Sequence, residues 1–256
     1  MKIVANLATY PPRRDALPRI VQAIVPQVDQ LNIVLNEYDA VPEELAGLDG
    51  VNPILPEEDT KDVGKFYPPV SGDYTLLIDD DIIYPPDYVA RTVARFEQIA
   101  TPRAIGGYHT STYRLPRPWR GLAECRRLLA FRWDIAADYR VVHVFFKGLE
   151  AHLIVDQVAS GCCILRSQDM PPYAYMRDSR KFVDVRLAAW CFEQGIQPVA
   201  LPRTADWLKP VDYDETIFDD FTSKNPPHVS AEIRRYAFRV PGRNRRPTLT
   251  GSEERL

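Results

Sequence analysis

Tyr74-Thr75-Leu76-Leu77-Ile78-Asp79-Asp80-Asp81 is an apolar run that ends in three consecutive carboxylates. A run of this length, bounded by turn residues, is typical of a buried strand near the middle of a parallel sheet. Side chains alternate along an extended backbone, so we expect Asp79 and Asp81 to point one way and Asp80 the other. Two carboxylates about 5 Å apart repel by roughly 3 kcal/mol at an effective dielectric constant of about 20. A divalent cation with oxygen ligands offsets such repulsion, so the stretch predicts a metal or phosphate site.

The bulk composition is that of one globular domain. The chain has 256 residues, 45% hydrophobic and 26% charged, and its net charge of −3 gives it no overall attraction for nucleic acid. The four cysteines show no CxxC spacing, the N-terminus has no signal peptide, and no apolar run is long enough to span a bilayer. We therefore expect a reducing, cytoplasmic setting, with peripheral contact at the inner face of the membrane left open.

The order of the predicted elements favours an α/β fold with a largely parallel sheet. Hydrophobic periodicity predicts strands at 2–8, 31–35, 51–55, 75–78, 104–109, 141–146, 151–158, 162–165 and 197–201, and helices at 17–28, 88–100, 122–131 and 182–194. Periodicity fades after Trp207, and much of the arginine-rich segment from Arg234 onward is predicted to be a mobile tail or an arm on a partner.

Polar residues follow several of the predicted strands. Because ligands of an open parallel sheet bind outside the carboxyl ends of its strands, we expect these residues to share one site. The candidates are Thr9, Tyr10 and Arg13 after the first strand, Glu37 after the second, Asp62 and Lys65 in the loop before the fourth, and Asp79, Asp80 and Asp81 after it. This collection suits a nucleoside diphosphate held through a cation. The sequence has no GxxxxGK[ST] and no GxGxxG motif, which excludes a P-loop enzyme and an ordinary dinucleotide dehydrogenase.

Four pieces of the chain, taken in order, resemble the family 2-like glycosyltransferases of the GT-A fold. They are 8–13, 34–37, 62–66 followed by 77–82, and 160–162 ahead of 182–187 and Gly195, and together they cover roughly residues 1–205. The resemblance implies a single GT-A-like α/β domain over 1–232, with a mostly parallel central sheet flanked by helices. Within it, 1–106 would form the nucleotide-sugar-binding half and 107–232 the acceptor half, followed by a basic tail over 233–256.

The resemblance also implies an activity, the inverting transfer of a sugar from a nucleotide-diphosphate donor to a glycan or lipid-linked acceptor. It implies that the donor is most often a UDP-sugar and that the reaction requires Mn²⁺ or Mg²⁺. Thr9, Tyr10, Arg13 and Glu37 match the family's nucleotide-binding positions, and Asp62 and Lys65 lie beside them. Asp79 and Asp80 match the ribose-facing acids, Asp81 matches the metal ligand with Asp79 as its neighbour, and Asp184 matches the catalytic base. His228 is a candidate third metal ligand.

The chain departs from the family at Val183-Asp184, where many members have two acids, and it lacks a Gln-x-x-Arg-Trp motif, which favours single additions over polymerisation.

Two other functions compete with this interpretation. A nucleotidyltransferase also gathers acids around a nucleotide, although the glycine-rich signature with a following lysine is missing after the first strand. A non-catalytic nucleotide-sugar-binding protein is the third alternative. Asp184 has a structural interpretation as a helix-start carboxylate, and Tyr113, Trp119 and Trp133 are candidates for sugar stacking or for plain packing.

Overall fold

The computed structural model describes residues 1–130, 134–211, 226–238 and 246–250. Its strands are β1 (Ile3–Thr9), β2 (Gln30–Leu35), β3 (Val51–Ile54), β4 (Tyr74–Ile78), β5 (Ile82–Ile83), β6 (Ala104–Gly107), β7 (Thr110–Tyr113), β8 (Arg140–His143), β9 (Leu153–Ile154), β10 (Gln157–Val158), β11 (Cys162–Arg166), β12 (Gln197–Ala200) and β13 (Lys209–Pro210). Its α-helices are α1 (Leu17–Ile24), α2 (Tyr88–Phe96), α3 (Leu122–Leu129), α4 (Tyr173–Met176), α5 (Val183–Gln194) and α6 (Pro227–Tyr236). No helix in these ranges is long and apolar enough to cross a bilayer.

The central sheet has eight strands in the order β3-β2-β1-β4-β11-β6-β12-β9. Strands β3, β2, β1 and β4 are parallel neighbours, as are β6 and β12. Strand β11 runs antiparallel between β4 and β6, and β9 is antiparallel at the edge. Six of the eight strands therefore point the same way. The predicted α/β class, with a mostly parallel sheet flanked by helices, is confirmed.

Both faces of the central sheet are buried, as the apolar run of β4 predicted. Leu76 and Ile78 face a core shared with α1 and α2, whereas Leu77 faces a second core shared with α4 and α5. On β11 the neighbouring residues Cys162 and Cys163 divide between the same two cores, and both are fully buried. The two cysteines are therefore core residues that pack on either face of a central strand.

A ladder of amides crosses the first three strands, buried at Asn6 and Asn32 and exposed at Asn52. Asn6, Asn32 and Asn52 are direct neighbours in the register of β1, β2 and β3. Asn52 Nδ2 donates to Asn32 Oδ1, and Asn32 Nδ2 donates to Asn6 Oδ1, each at 2.8 Å. Asn6 Nδ2 in turn donates to the carbonyl oxygen of Lys65 at 2.8 Å. The ladder thus fixes the backbone of Lys65, which lies in the 3-10 turn Lys61–Phe66, against the sheet.

The strands predicted at 141–146 and 151–158 are much shorter in the structure. Strand β8 ends at His143, and β9 and β10 have two residues each. The side chain of Arg203 explains the first difference. It donates to the carbonyl oxygen of Val144 at 2.6 Å and to that of Phe145 at 3.1 Å. These acceptors are thereby withdrawn from strand pairing, and the chain turns away from β7.

Helix α6 lies where periodicity had faded, and it extends past the boundary predicted at residue 232. Val229, Ile233 and Tyr236 are spaced as one helix face and are all buried against Ala188 and Ala189 of α5. Further on, Leu249 forms a bridge with Ile99 of the main body. Residues 234–238 are therefore part of the folded unit, and the rest of the predicted tail, apart from 246–250, lies outside the described residues.

We expect Ile233→Ala to destabilise the protein, because the change leaves a cavity between α5 and α6. Burial of Ile233 is nearly complete, so the loss in free energy of unfolding should be about 2–5 kcal/mol. Urea denaturation followed by circular dichroism measures it. Leu129→Ala is the matched control, because that side chain is 87% exposed. Equal stability of Ile233→Ala and the wild type would show that α6 is not docked.

Candidate active site

The three acids follow β4 in a turn rather than in the strand itself. Strand β4 ends at Ile78, so the side-chain alternation expected for Asp79, Asp80 and Asp81 does not continue through them. Each acid instead has its own surroundings, and their charges act on one another. Burial raises the pKa of Asp81, and the charges of Asp79 and Asp80 raise it further, to about 6. The site therefore carries more negative charge than its own cations neutralise.

A buried lysine holds the first of these acids. Lys65 Nζ forms an ion pair with Asp79 Oδ1 and donates to the carbonyl oxygen of Ser160 at 3.2 Å. Burial lowers the pKa of Lys65, but the charges of Asp79, Asp184 and Asp62 outweigh it, so that the net shift is upward. The amine therefore remains charged, and this one cation interacts electrostatically with acids from three different segments of the chain.

Gly161 leaves room for the carboxylate of Asp79. A Cβ at position 161 would lie 2.8 Å from Asp79 Cγ, closer than such atoms approach in real structures. The buried hydroxyl of Tyr84 closes the same corner: it accepts from the backbone N–H of Asp79 at 2.9 Å and donates to the carbonyl oxygen of Gly161 at 2.9 Å. The sequence interpretation missed Tyr84, whose contacts arise only when β4 and β11 pair.

Residues from the end of β1 to α1 surround the second acid. Thr9 Oγ1 donates to Asp80 Oδ2 at 2.8 Å, and Arg19 of α1 donates to the Asp80 carbonyl oxygen at 2.9 Å. The side chain of Arg13 is buried, and its charge lowers the pKa of Asp80 against the larger, raising effect of burial. Tyr10 is partly buried directly before the 3-10 turn Pro11–Ala16. The structure therefore brings Thr9 and Arg13 to the acid turn, as predicted, and adds Arg19.

Glu37 occupies a more exposed position. Its φ angle is 60°, and its carboxylate lies 4.0 Å from Lys61 Nζ. The neighbouring Asn36 is buried and ties the end of β2 to the next loop: Asn36 Oδ1 accepts from Thr60 N at 2.8 Å, and Asn36 Nδ2 donates to the Lys61 carbonyl oxygen at 3.0 Å. A nucleotide-binding role for Glu37 stays a prediction, whereas the contacts of Asn36 with the next loop are a feature that the sequence did not reveal.

Asp184, in the first turn of α5, is oriented by Ser160. The backbone N–H and the hydroxyl of Ser160 both donate to Asp184 Oδ1 at 2.8 Å, and within the described ranges no group donates to Oδ2. Asp62 accepts from the backbone N–H of Lys181 at 3.0 Å. Burial raises the pKa of Asp62, and the charge of Asp184 raises it further. Asp62, Asp184 and Lys65 therefore lie in one electrostatic neighbourhood.

The predicted metal set is not assembled as a protein-only site. Among the residues that the structure describes, no three His, Cys, Asp or Glu side chains form a group that could hold a metal ion. His228 is exposed on the first turn of α6, with its ring 5.3 Å from that of Phe182. Asp79, Asp81 and His228 therefore do not converge. The acids fit a cation that takes one or two carboxylates and completes its shell with phosphate oxygens.

His109 is a site neighbour that the sequence interpretation passed over. It lies two residues beyond β6, with its ring 5.8 Å from that of Phe145. Burial lowers the pKa of His109 to about 4, although the charges of Asp184 and Asp79 act to raise it. A neutral imidazole therefore stands near the two acids. Its position just beyond a strand is the sequence signal that identifies it as a candidate.

The aromatic candidates separate into two environments. Tyr113 is 1% exposed, and its hydroxyl donates to Gln157 Oε1 at 3.0 Å. Its ring is therefore packed in the protein interior. Trp119 is 80% exposed. Trp133 lies outside the described residues.

No protein-family model and no curated protein matches this chain. Solved structures do. Glucosyl-3-phosphoglycerate synthase from Mycobacterium tuberculosis, in complex with Mn²⁺, UDP-glucose and glycerol 3-phosphate, is 15% identical over 92% of this chain and 80% of its own, with a TM-score of 0.49. The same enzyme with Mn²⁺, UDP and phosphoglyceric acid matches over 94% and 79%, with a TM-score of 0.47. A further mycobacterial protein matches over 83% and 68%, with a TM-score of 0.46 and 15% identity.

The synthase structure contains Mn²⁺, UDP-glucose and glycerol 3-phosphate. At this identity and these TM-scores, the similarity assigns neither a substrate nor a site residue to the chain.

The raised pKa of Asp81 predicts a pH-dependent stability. The folded state holds the proton of Asp81 to about pH 6, whereas the ordinary value is 3.8. The contribution of protonated Asp81 to the free energy of unfolding is therefore fully present below about pH 4. It is lost as the pH rises through 6, and the loss is at most about 3 kcal/mol. In EDTA, Asp81→Asn should be more stable than the wild type at about pH 7, and this advantage should shrink toward about pH 4.

Urea denaturation across this pH range measures the difference. Asp178→Asn is the control, because the side chain of Asp178 is 79% exposed. A constant difference between wild type and Asp81→Asn at every pH would contradict the raised pKa of Asp81.

Gly161→Ala tests the close approach of Asp79. The added methyl group should displace the Asp79 carboxylate from Lys65, because no space exists between Gly161 and that carboxylate. We expect a lower melting temperature, measured by calorimetry. Gly148→Ala is the matched control, since its nearest neighbour would lie 3.4 Å away. Equal losses for the two variants would show that Asp79 does not depend on Gly161.

Proposed function

We propose that this protein is a metal-dependent glycosyltransferase that moves a sugar from a nucleoside-diphosphate donor to an acceptor hydroxyl. One observation carries the proposal: the buried amine of Lys65 forms an ion pair with Asp79 and also interacts electrostatically with Asp184 and Asp62. Donor-binding acids and a candidate base, far apart in sequence, thus share one site at the carboxyl ends of the strands. Ligands of open α/β sheets bind at this edge.

The charge balance supports a cation at the donor diphosphate. A diphosphate is strongly negative, and the acid turn is negative as well. Asp81 and Asp79 are the residues that would hold Mn²⁺ or Mg²⁺, with the donor's phosphate oxygens completing the ion's coordination. When bound, the ion would neutralise charge on the leaving nucleoside diphosphate. Arg13 and Lys65 would add positive charge near the same phosphates.

On the nucleoside side, Thr9, Tyr10 and Asp80 form the candidate binding surface. Thr9 and Asp80 are hydrogen-bonded to each other, so Asp80 is fixed in place. A fixed carboxylate oxygen suits a ribose hydroxyl, and the ring of Tyr10 suits stacking on a base. A UDP-sugar is the donor that we expect first. Glu37 and Asp62 are the more distant members of this predicted set.

Asp184 is the proposed general base. Ser160 satisfies Oδ1 twice, which fixes the carboxylate and leaves Oδ2 to accept a proton. An acceptor hydroxyl that gives its proton to Oδ2 could attack the anomeric carbon in a single displacement. A single displacement inverts the configuration at that carbon. We expect one addition per cycle, to a glycan or lipid-linked acceptor at the side of the site that holds Asp184 and His109.

Donor binding is the first test. With Mn²⁺ present, UDP or GDP should raise the melting temperature of the wild type, whereas nucleoside triphosphates should not. Asp81→Ala should lose the Mn²⁺-dependent part of this shift, because the cation would lose a carboxylate. A shift produced by triphosphates alone would instead favour a nucleotidyltransferase. Calorimetry over several nucleotide sugars would identify the sugar and the base.

Turnover is the second test. Asp184→Asn should bind the donor with unchanged affinity but transfer sugar about 10²–10⁴-fold more slowly, because its amide cannot accept the proton. Isothermal calorimetry and a transfer assay with the identified donor measure the two effects. Asp39→Asn, an exposed acid after β2, is the control. Near-normal turnover in Asp184→Asn would remove Asp184 as the base, and donor binding without any turnover in the wild type would favour a non-catalytic binding protein.

A further inference from the structure

Helix α3 exposes its apolar side chains. None of its residues is buried. Leu122 is 80% exposed and Leu129 is 87% exposed, and these two lie seven residues apart on one helix face. In the segment before the helix, Leu115 is 63% and Trp119 is 80% exposed. Large apolar side chains grouped in this way on a protein surface mark an interaction site.

The opposite, polar face of α3 holds the helix to the rest of the protein. Arg114 makes two hydrogen bonds of 2.9 Å to the carboxylate of Glu124, and Arg127 contacts the same carboxylate at 3.4 Å. Arg127 also donates to the carbonyl oxygen of Asp138 at 2.8 Å. A surface helix of a globular protein ordinarily turns its apolar face inward. Here the arrangement is reversed, so the apolar face is available to a partner.

The charge of this surface is positive. Residues 114–130 contain five arginines and a single acid, Glu124, whose carboxylate is already engaged by Arg114 and Arg127. Arg120 and Arg126 are exposed, and no ion pair joins either of them to another residue in the described ranges. Arg126 lies between Leu122 and Leu129 on the outward face. Positive charge is thus interleaved with apolar side chains.

We propose that this leucine-arginine surface, defined by Leu115, Trp119, Arg120, Leu122, Arg126 and Leu129, docks on an anionic lipid membrane. Leucine and tryptophan side chains enter the boundary between headgroups and acyl chains, while arginines contact lipid phosphates. The helix is too short to span a bilayer, so it would lie in the plane of the membrane. A second copy of the chain is a poor occupant, because two equally basic surfaces repel each other.

This docking goes beyond the proposed reaction and does not depend on it. The segment is joined to the acceptor side of the fold, where the backbone N–H of Arg114 donates to the Tyr139 carbonyl oxygen at 2.8 Å, next to β8. A membrane bound there would lie on the same side of the protein as β7 and β8. Membrane-bound acceptors would then be concentrated near this part of the protein.

Vesicle co-sedimentation of the full chain, without donor or acceptor, tests the proposal. The wild type should sediment with vesicles of phosphatidylcholine and phosphatidylglycerol in equal parts, and not with phosphatidylcholine alone. Leu122→Ser with Leu129→Ser should weaken binding at least about tenfold, because apolar burial is lost. Arg120→Ala with Arg126→Ala should weaken it by about fivefold for each arginine. All four side chains are exposed, so the variants should keep the wild-type melting temperature.

Matched controls use exposed residues elsewhere on the surface. Leu48→Ser with Val70→Ser, and Arg91→Ala with Arg177→Ala, should bind vesicles as the wild type does. Three results would overturn the proposal. The first is no sedimentation of the wild type with the anionic vesicles. The second is a dimer in light scattering that Leu122→Ser with Leu129→Ser dissociates, which would make the surface a contact between copies. The third is that the protein binds a DNA duplex and that Leu122→Ser with Leu129→Ser weakens neither this DNA binding nor the binding to vesicles.

Discussion

The ion pair between Lys65 and Asp79 is the interaction on which the candidate site depends. Lys65 is 3% exposed, and a buried ammonium group is costly unless an opposite charge and hydrogen bonds compensate it. Asp79 supplies the charge and the Ser160 carbonyl oxygen supplies a further acceptor. Because Asp79 directly follows β4 and Ser160 precedes β11, the pair joins two central antiparallel neighbours of the sheet. Ser160 also holds Asp184, so the same junction positions the proposed base.

The rest of the fold supports this junction. The amide ladder that ends at Asn6 holds the Lys65 backbone, and Gly64 brings the same turn against β1 and β2, where an added Cβ would lie 3.1 Å from Ala8 Cβ. Five acids then face a smaller number of cations, chiefly Lys65 and Arg13. Burial raises the pKa of Asp81, and the charges of Asp79 and Asp80 raise it further; this surplus of negative charge is the physical reason why a diphosphate donor would need a divalent cation at this site.

Site residues at the end of a single strand were predictable from the sequence, whereas residues whose contacts require two strands to meet were not. Thr9, Arg13 and Asp80 were found because each follows a recognisable strand, and the structure brings them together. Tyr84 was missed, since its hydroxyl acts on Gly161, which is 77 residues away in sequence. Arg203 was missed for the same reason: its contacts with the loop after β8 depend on folding, and they replace the second half of the strand predicted at 141–146.

By itself, the sequence determined the α/β class, the buried strand that ends in three acids, and the residues available at strand ends. Hydrophobic period and chain order carry that information locally. Only the tertiary structure decided which acid pairs with Lys65, that Ser160 orients Asp184, that α6 belongs to the folded unit, and that α3 turns its leucines outward. These outcomes depend on contacts between distant segments, and neither hydrophobic period nor chain order encodes which segments will meet.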